Sequence, residues 1–521
     1  MKFLIRADGD TTIGGGHVMR CLTLAQEARR RGHDAAFVMA QKPSSMLHRV
    51  AGLGYTVFPI TPDLQAPREN SEPVHAKWLP TSWRADADIT IAAAQKFQPD
   101  WIVWDHYGLD ARWVRHIREQ TNGVRFLAID DLDDRAIASE LVLDQTRVTR
   151  TARTQTADAY LTGASFALLR PEFAELRETA IANRSAKVSR VLIAPGMVDG
   201  AHLAPLAINA LTEYPDVAID VVMGSESQTI SEVQELLAKR KNAQLHLDAQ
   251  NMAELISSAD LCIGAGGMTS WERCCLGLPA VAICTADNQS EVLNGLQAQG
   301  ALLSLTLAQA RDPDTMKRTL AQAFEQRASL SKAAANLCDG RGTGRVVDAL
   351  EGVLRKVTAQ DAQLLFDWRN QQRIREVSLD TSELVWENHV KWLNSILQED
   401  TGQWLIYREG KRDLGHVNAR LRGENTWHWG FYIGANDAPR GAGQRMLALF
   451  IERLFSLPDT AAITADVRKD NAVSIALHQR LGFTQTESQS PDALAFRLDR
   501  CDVNLVGIDP HSTQGDSTDA S

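Results

Sequence analysis

Short apolar runs separated by longer amphipathic stretches occupy the first two thirds of the chain. Up to about residue 165 the strand candidates are KFLIR, DAAFVMA, YTVFPI, DWIVWDH, VRFLAIDD and LVLDQ. Between the first two, HVMRCLTLAQEARRRG carries apolar residues at helical spacing and closes at Gly32. Apolar strands alternating with helices describe a parallel sheet covered on its faces. A polar stretch, RETAIANRSAKVSR, interrupts the pattern. It then restarts with VLIAPG, AIDVVMG, QLHLDA, ADLCIGAGG and AVAIC, and ends near LCDGRGTGRVVDALEGVLR. Two such halves in succession imply a cleft, because ligands of open parallel sheets bind beyond the carboxyl ends of the strands.

From about residue 353 the pattern changes. A helix (TAQDAQLLFDWRN) precedes QWLIYREG, LGHVNARL, WHWGFYIG, AAITADVR and ALAFRLD, with two further helices interleaved. The expectation is α+β with a mainly antiparallel sheet. The fold class is thus α/β: two doubly wound Rossmann-like domains (residues 1–165 and 186–352), then an α+β domain (353–500). The polar, turn-rich 501–521 is expected to be a disordered tail.

At 521 residues the length suits roughly three domains. The net charge of −10 argues against a general nucleic-acid binder, which would show a basic face. The seven cysteines lack CxxC spacing and mostly sit in apolar runs, as buried free thiols of a reducing cytoplasm do. Arg6 cuts the first apolar run short, unlike a signal peptide, and no segment approaches the roughly 18 apolar residues of a membrane span. A cytoplasmic protein without membrane partners is expected; its oligomeric state is left open.

Two glycine-rich turns carry the chemistry of the first two domains. IGGGHVMRC (13–21) joins a strand to a helix, so backbone N–H groups and the positive helix end can face an anion, although the GxGxxG dinucleotide spacing is absent. His17 follows at the first helical turn, where the helix dipole favours the neutral imidazole of a general base; a capping or packed histidine is the plain alternative. In the second half a strand ends in Gly264-Ala265-Gly266-Gly267 and a helix begins near Thr269 and Ser270, whose hydroxyls can hold a diphosphate. Glu272, one turn on, is placed to accept hydrogen bonds from ribose hydroxyls, and DNQ (287–289) follows on a cleft-facing loop. The run Asp130-Asp131-Leu132-Asp133-Asp134 reads as a solvated or sugar-binding loop rather than a metal site.

These stretches resemble a known family. RADGDTTIGGGHVMRCLTLA, DHYGLD (105–110), IDDLDDR (129–135), LTGASFALLRPEF (161–173), NMAELISSADLCIGAGGMTSWERCCLGLP (251–279) and DNQ are similar to the UDP-sugar hydrolase of pseudaminic acid biosynthesis. That family shares the two-domain GT-B fold with the UDP-GlcNAc transferase of peptidoglycan synthesis. The resemblance implies metal-independent, inverting hydrolysis of a UDP-diacetamido-trideoxy-hexose, with His17 as the base that activates water. It places Arg6, Asp8, Gly15, Gly16, Tyr107, Gly266, Gly267, Thr269, Ser270, Glu272, Asn288 and Gln289 at the nucleotide-sugar site. One departure stands out: APGMVDG (194–200) puts Met197 where the family has a glycine near the substrate.

In the third domain, GFYIGANDAPRGAGQRMLALFIERLF carries a strand into Arg440-Gly441-Ala442-Gly443 and an amphipathic helix. Such a loop can wrap a pyrophosphate at the helix N-terminus, with Arg440 and Arg445 adding charge. Together with NAVSIALHQRLGF (471–483), DWRN and WHWGFYIG, it resembles the GNAT acyl-CoA acetyltransferases, and more narrowly the amino-sugar acetyltransferase of the same pathway. The resemblance implies acetyl-CoA as co-substrate, bound by Ile433, Arg440, Gly441, Ala442, Gly443, Arg445 and Asn471. Arg445 replaces the usual last small residue of the loop. His478 takes the place of the tyrosine that protonates the leaving thiolate; it is either that acid or a packed bystander. His416, Glu424 and His428 are the candidates for the base.

The two activities would be consecutive: 4-N-acetylation of a UDP-4-amino-4,6-dideoxy sugar, then release of UDP and 2,4-diacetamido-2,4,6-trideoxy-L-altrose. A GT-B glycosyltransferase fused to an acetyltransferase is the rival within this fold. A nucleotide-sugar and CoA binder without turnover is the rival outside catalysis.

Overall fold

The computed structural model describes residues 1–501 except 11–12, 42–44, 64, 66–72, 147–158, 186, 287–288, 400, 410–411, 424, 439–440, 458 and 489. The chain divides into two compact units, Met1–Val346 and Val347 onward, each considered by itself. Among the described residues no helix is long and apolar enough to cross a membrane.

The first unit holds two all-parallel sheets. One comprises β1 (Lys2–Ala7), β2 (Asp34–Ala40), β3 (Thr56–Ile60), β4 (Trp101–Asp105), β5 (Arg125–Ile129), β6 (Leu141–Asp144) and β7 (Ala159–Thr162), in the order β3-β2-β1-β4-β5-β6-β7. The other comprises β8 (Arg190–Ala194), β9 (Ala218–Met223), β10 (Ala243–Leu247), β11 (Leu261–Ala265), β12 (Ala280–Cys284) and β13 (Leu303–Thr306), in the order β10-β9-β8-β11-β12-β13. Each order runs outward from its first strand and then reverses to the other side. The reversal points lie between β1 and β4 and between β8 and β11, where neighbouring loops leave in opposite directions and open a crevice. The strands recognisable in sequence are those buried on both faces, such as β1, β4 and β11. Two were not expected: β7 (AYLT) and β13 (LSLT), four residues each at sheet edges, too short to show a pattern.

The core of the first sheet is aromatic, with Trp101, Trp104, Trp113 and Phe126 fully buried. Arg6 is fully buried among them on β1. Its guanidinium bonds Asp86 at 2.7 Å, and at 2.7 and 2.8 Å it bonds Asp8, while Trp113 Nε1 donates to Asp86 at 2.9 Å. A buried ion cluster of this kind is tolerated because each charge is paired and hydrogen-bonded.

The second unit carries one mixed sheet: β14 (Gly352–Lys356), β15 (Gly402–Glu409), β16 (Arg412–Arg422), β17 (Thr426–Ile433), β18 (Ala462–Arg468), β19 (Thr484–Thr486) and β20 (Ala493–Asp499), ordered β14-β15-β16-β17-β18-β20-β19. Every pairing is antiparallel except β17 with β18. That parallel ladder covers only Thr426–His428 against Ala462–Thr464, so the two strands part beyond His428.

Replacing Asp86 by alanine leaves the buried Arg6 guanidinium with one carboxylate in place of two. Loss of a buried partner of this kind costs about 3–5 kcal/mol. The D86A chain should therefore unfold at clearly lower urea concentration than wild type, whereas substitution of the exposed Arg30, whose partner Glu27 retains Arg31, should shift the midpoint little.

Candidate active sites

The loops at the reversal point of the first sheet bring His17, Arg20, Asp105, Tyr107 and Asp131 together. His17 lies in the first turn of the helix Gly16–Arg30, and Arg20 one turn later faces the same side. Asp105 ends β4 with no exposed surface. His17 Nδ1 lies 2.6 Å from Asp105 Oδ1, and Arg20 grips both carboxylate oxygens at 2.6 and 2.7 Å. Burial raises the pKa of Asp105, but Arg20 and His17 outweigh it and hold the carboxyl well below the usual carboxylate range. An ionised carboxylate only accepts, so His17 Nδ1–H is the donor and Nε2 is turned away from this partner. Orienting a base through its other nitrogen is the positioning that general-base catalysis requires.

Around this pair, Tyr107 O–H donates to Asp131 Oδ2 at 2.6 Å, and Arg20 NH1 reaches the same oxygen at 2.5 Å. Tyr107 meets the His17 ring edge-on, with centroids 4.6 Å apart. Burial, reinforced by Asp131, pushes its phenol well above the usual range, so it stays protonated. Asp105, Arg20 and Asp131 were not singled out as site residues in the sequence. Their signal was present in the DHYGLD and IDDLDDR stretches, but which carboxylate meets His17 is decided by sheet order. Of the acidic run, Asp130 pairs with Arg135 at 2.7 Å. Among the described residues no group of three or more His, Cys, Asp or Glu side chains is arranged to hold a metal ion.

Arg6 and Asp8, expected at the nucleotide-sugar site, lie in the buried cluster beneath it. Asp8 also accepts the Ala40 N–H at 2.7 Å and so ties β1 to β2. Gly15, the N-cap of the His17 helix, is closely approached: a Cβ there would lie 2.8 Å from Met197 Sδ and 3.4 Å from Met46 Sδ. Met197, the residue that departs from the family pattern, thus reaches from the second sheet's loop to the first sheet's glycine turn. Its backbone is fixed by the bond from Gly224 N–H to its carbonyl, 2.9 Å. In the same loop Asp199 caps the helix Leu203–Ala210 through the Leu203 and Ala204 N–H groups.

At the reversal point of the second sheet, Gly266 is buried, and a Cβ on it would lie 2.6 Å from Leu293. Gln289 braces this turn: its carbonyl oxygen accepts from Gly266 N–H (3.3 Å) and Thr285 N–H (3.0 Å). Ser270 Oγ accepts from Arg273 at 2.8 Å, while Thr269 opens the helix Thr269–Cys275. Glu272 Oε2 is buried with no hydrogen-bond partner. Burial raises its pKa, with Arg170 and Arg273 opposing. A buried carboxylate oxygen left unpaired is the acceptor a ribose hydroxyl would satisfy. Asn288 lies outside the described residues.

In the second unit, Gly441 takes the left-handed conformation (φ +83°) at the start of the helix Ala442–Ser456. Gly443 has room around it: a Cβ there would meet no atom nearer than 3.6 Å. The Ile433 carbonyl, beyond the point where β17 and β18 part, accepts from Arg373 at 3.0 Å. Arg445 is held by Glu409 at 2.7 Å, and Glu409 also accepts the Tyr407 hydroxyl. Asn471 caps the helix Ala472–Arg480 by accepting the Ser474 N–H, and Arg440 lies outside the described residues.

His478 lies inside the core of the second unit. The ring is buried against Trp429, Phe483 and Phe496. Its Nε2 accepts from Trp429 Nε1–H at 3.1 Å and its Nδ1 donates to the Ser474 carbonyl at 2.8 Å. Both nitrogens are engaged within the domain, an arrangement that favours the packed alternative over the acid. Of the base candidates, His416 is fully enclosed, with Nδ1 donating to the Leu405 carbonyl. His428 is half-buried at the last paired register before β17 and β18 separate, with Thr464 Oγ1 3.2 Å from Nδ1 and Asp466 3.6 Å from Nε2. Glu424 is outside the described residues.

Residues 353–484 match the family model of the acetyltransferase (GNAT) domain. The second unit is accordingly a GNAT domain with a mixed sheet, preceded in the chain by two Rossmann-type parallel sheets. The chain is similar over 514 residues, at 22% identity, to an uncharacterized protein of Methanocaldococcus jannaschii, covering 94% of this chain and 97% of that one. It is also similar to the spore coat polysaccharide biosynthesis protein SpsG of Bacillus subtilis, 24% identical over 360 residues, which make up 67% of this chain and 97% of SpsG. Among solved structures, MurG of Acinetobacter baumannii matches at 16% identity and a TM-score of 0.49, over 67% of this chain and 99% of that one.

Burial lowers the pKa of His416 from 6.5 to about 4. The folded state therefore favours the neutral ring: its contribution is complete above the unfolded value and is lost as pH falls from 6.5 toward 4. At about 1.4 kcal/mol per unit, the second unit should lose about 3 kcal/mol across that window. Urea unfolding at stepped pH should show this slope, and H416Q should flatten it.

Proposed function

We propose that the chain is a bifunctional nucleotide-sugar enzyme of nonulosonic acid biosynthesis. Its GNAT domain acetylates the 4-amino group of a UDP-4-amino-4,6-dideoxy sugar, and its N-terminal unit then hydrolyses the glycosyl–UDP bond of the product. The His17–Asp105 pair carries the second half of this reading. A water held at His17 Nε2 loses its proton as its oxygen attacks the anomeric carbon, and the bond to the UDP oxygen breaks on the opposite face with inversion. Asp105 holds the ring in the required tautomer and stabilises the imidazolium formed, a role comparable to that of other His-carboxylate pairs. The backbone N–H of Gly267, with Thr269, suits the departing diphosphate, and Glu272 suits the ribose.

Acetyl-CoA supplies an activated thioester to the GNAT domain. The opening between β17 and β18 and the turn at Gly441 are where its pantetheine and pyrophosphate would lie. His428, half-exposed beside that opening and backed by Asp466, is the candidate best placed to take the amine proton. Burial and the nearby Arg422 lower its pKa and Asp466 opposes them, so it is neutral and able to accept at pH 7. Similarity to SpsG, named for polysaccharide biosynthesis, supports a sugar substrate for the N-terminal unit. A cytoplasmic location follows from the activated substrates this reading requires.

The test is mass spectrometry of the chain with acetyl-CoA and the UDP-4-amino-4,6-dideoxy-2-acetamido-hexose of L-altro configuration. Gain of one acetyl group should be followed by release of UDP and the free diacetamido sugar. H17A should stop the reaction at the acetylated nucleotide, and D105N should slow hydrolysis by about 10²–10⁴-fold, the range of a general-base contribution. H428Q should slow acetylation while leaving hydrolysis of pre-acetylated substrate unchanged. Recovery of unaltered nucleotide sugar despite binding of both ligands would defeat the catalytic reading.

A further inference from the structure

The segment Val74–Trp78 forms a short 3₁₀ turn with no periodic pattern in the sequence to announce it. It is pressed onto the loop carrying Tyr107: a Cβ on Gly108 would stand 2.8 Å from the His75 carbonyl oxygen, an approach only glycine permits. The contact sets three rings side by side. His75 and Trp78 have centroids 4.3 Å apart, and they lie 5.8 and 6.0 Å from Tyr107, whose own ring meets His17 at 4.6 Å. Tyr107 is buried, whereas Trp78 and His75 are half-buried, so the wall next to the base presents open aromatic surface. His75 Nδ1 is buried and has no hydrogen-bond partner. An aromatic wall carrying one unsatisfied polar atom, beside a base, has the composition of a ligand subsite rather than of a core.

We propose that Trp78 is the platform on which the sugar ring of the nucleotide sugar packs at the His17 site, with His75 Nδ1 bonding a hydroxyl or amide substituent of that ring. The inference rests on the reading of the N-terminal unit as a nucleotide-sugar site and adds the residues that select the sugar. Pyranoses carry an apolar C–H face that covers aromatic carbon, while their substituents need polar partners at the ring edge. Uridine and diphosphate are served by the other sheet's loop, so the wall contributes to sugar recognition alone. Were Trp78 merely packing for Tyr107, its loss would disturb the rate at His17 and leave the sugar's share of affinity intact.

Calorimetric titration of the full-length H17A chain, which prevents turnover, separates these outcomes. UDP and UDP-2,4-diacetamido-2,4,6-trideoxy-β-L-altropyranose are the two probes. Adding W78A should weaken the UDP-sugar about 10-fold or more, the scale of one lost aromatic contact, while UDP itself changes less than about twofold. W78F should keep the UDP-sugar within about threefold of the parent, since a flat apolar ring remains. Equal weakening of both probes, or no change in either, overturns the proposal. If the H17A parent binds neither probe, the nucleotide-sugar reading itself fails and this one with it, a result visible before any Trp78 variant is made.

Discussion

Asp105 ends a central strand with no contact with water, yet it must be charged, and the first site is arranged around meeting that requirement. A buried carboxylate persists only when its lone pairs are filled by strong donors. Here Arg20 fills two positions and His17 a third, with Cys21 Sγ 3.7 Å from Oδ2. His17, Arg20 and Cys21 sit within a single turn of one helix, so the carboxylate fixes the rotation of that helix as well as its distance from the sheet. Fixing the helix fixes the glycine turn before it. Arg20 carries the constraint on to Asp131 and through it to Tyr107, so one buried charge orders base, tyrosine and loop together.

The same logic explains why Arg6 and Asp8, next to the site in sequence, are not in it. β1 and β4 are neighbours in parallel register, with Ala7 opposite Asp105. Asp105 therefore points its carboxylate to the helix side occupied by His17, while Arg6 belongs to the opposite face and meets Asp86. Alternation along a strand separates a supporting ion cluster from a working one over two or three residues. The support is still coupled to the site, because Asp8 lies within 3.5 Å of His106 on the Tyr107 loop.

Much of the architecture was legible because both-face burial leaves continuous apolar runs, and β1, β2, β4, β5, β8 and β11 announce themselves in that way. The four-residue edge strands β7 and β13 are too short to carry such a signal. For the sites, His17 and the two glycine turns were legible from local pattern: a strand, small residues, then a helix. What a local pattern cannot supply is pairing across the chain. Asp105 stands 88 positions from His17 and meets it only because β1 and β4 are adjacent. His478 shows the converse. Its sequence position matches a proton donor, but its Nε2 meets Trp429, 49 residues away, a contact that no local pattern announces. Gln289, expected to touch ligand, has its carbonyl oxygen on the Gly266 and Thr285 N–H groups, a bracing role that the sequence does not announce.

On the proposed reading of the first unit, joining it to a GNAT domain has a kinetic rationale that needs no contact between their sites. A tethered second site experiences the released intermediate at the effective concentration set by the tether, in addition to that of bulk solution. The gain is largest when the intermediate is scarce and when the second step is irreversible, as hydrolysis of a glycosyl–UDP bond is. The same reading imposes a condition on the first unit: its proposed sugar pocket must accept the acetylated product and reject the amine precursor, or the order of steps fails. An acetamido group brings a methyl for the wall and an amide N–H for the His75 nitrogen, whereas the protonated amine precursor lacks that methyl and must give up its hydration shell to enter. Burial lowers the pKa of His75 and so keeps it in the form that can accept an N–H. Selectivity for the acetylated sugar would then arise from the chemistry of the subsite, and the fusion would enforce by proximity an order that the pocket already prefers.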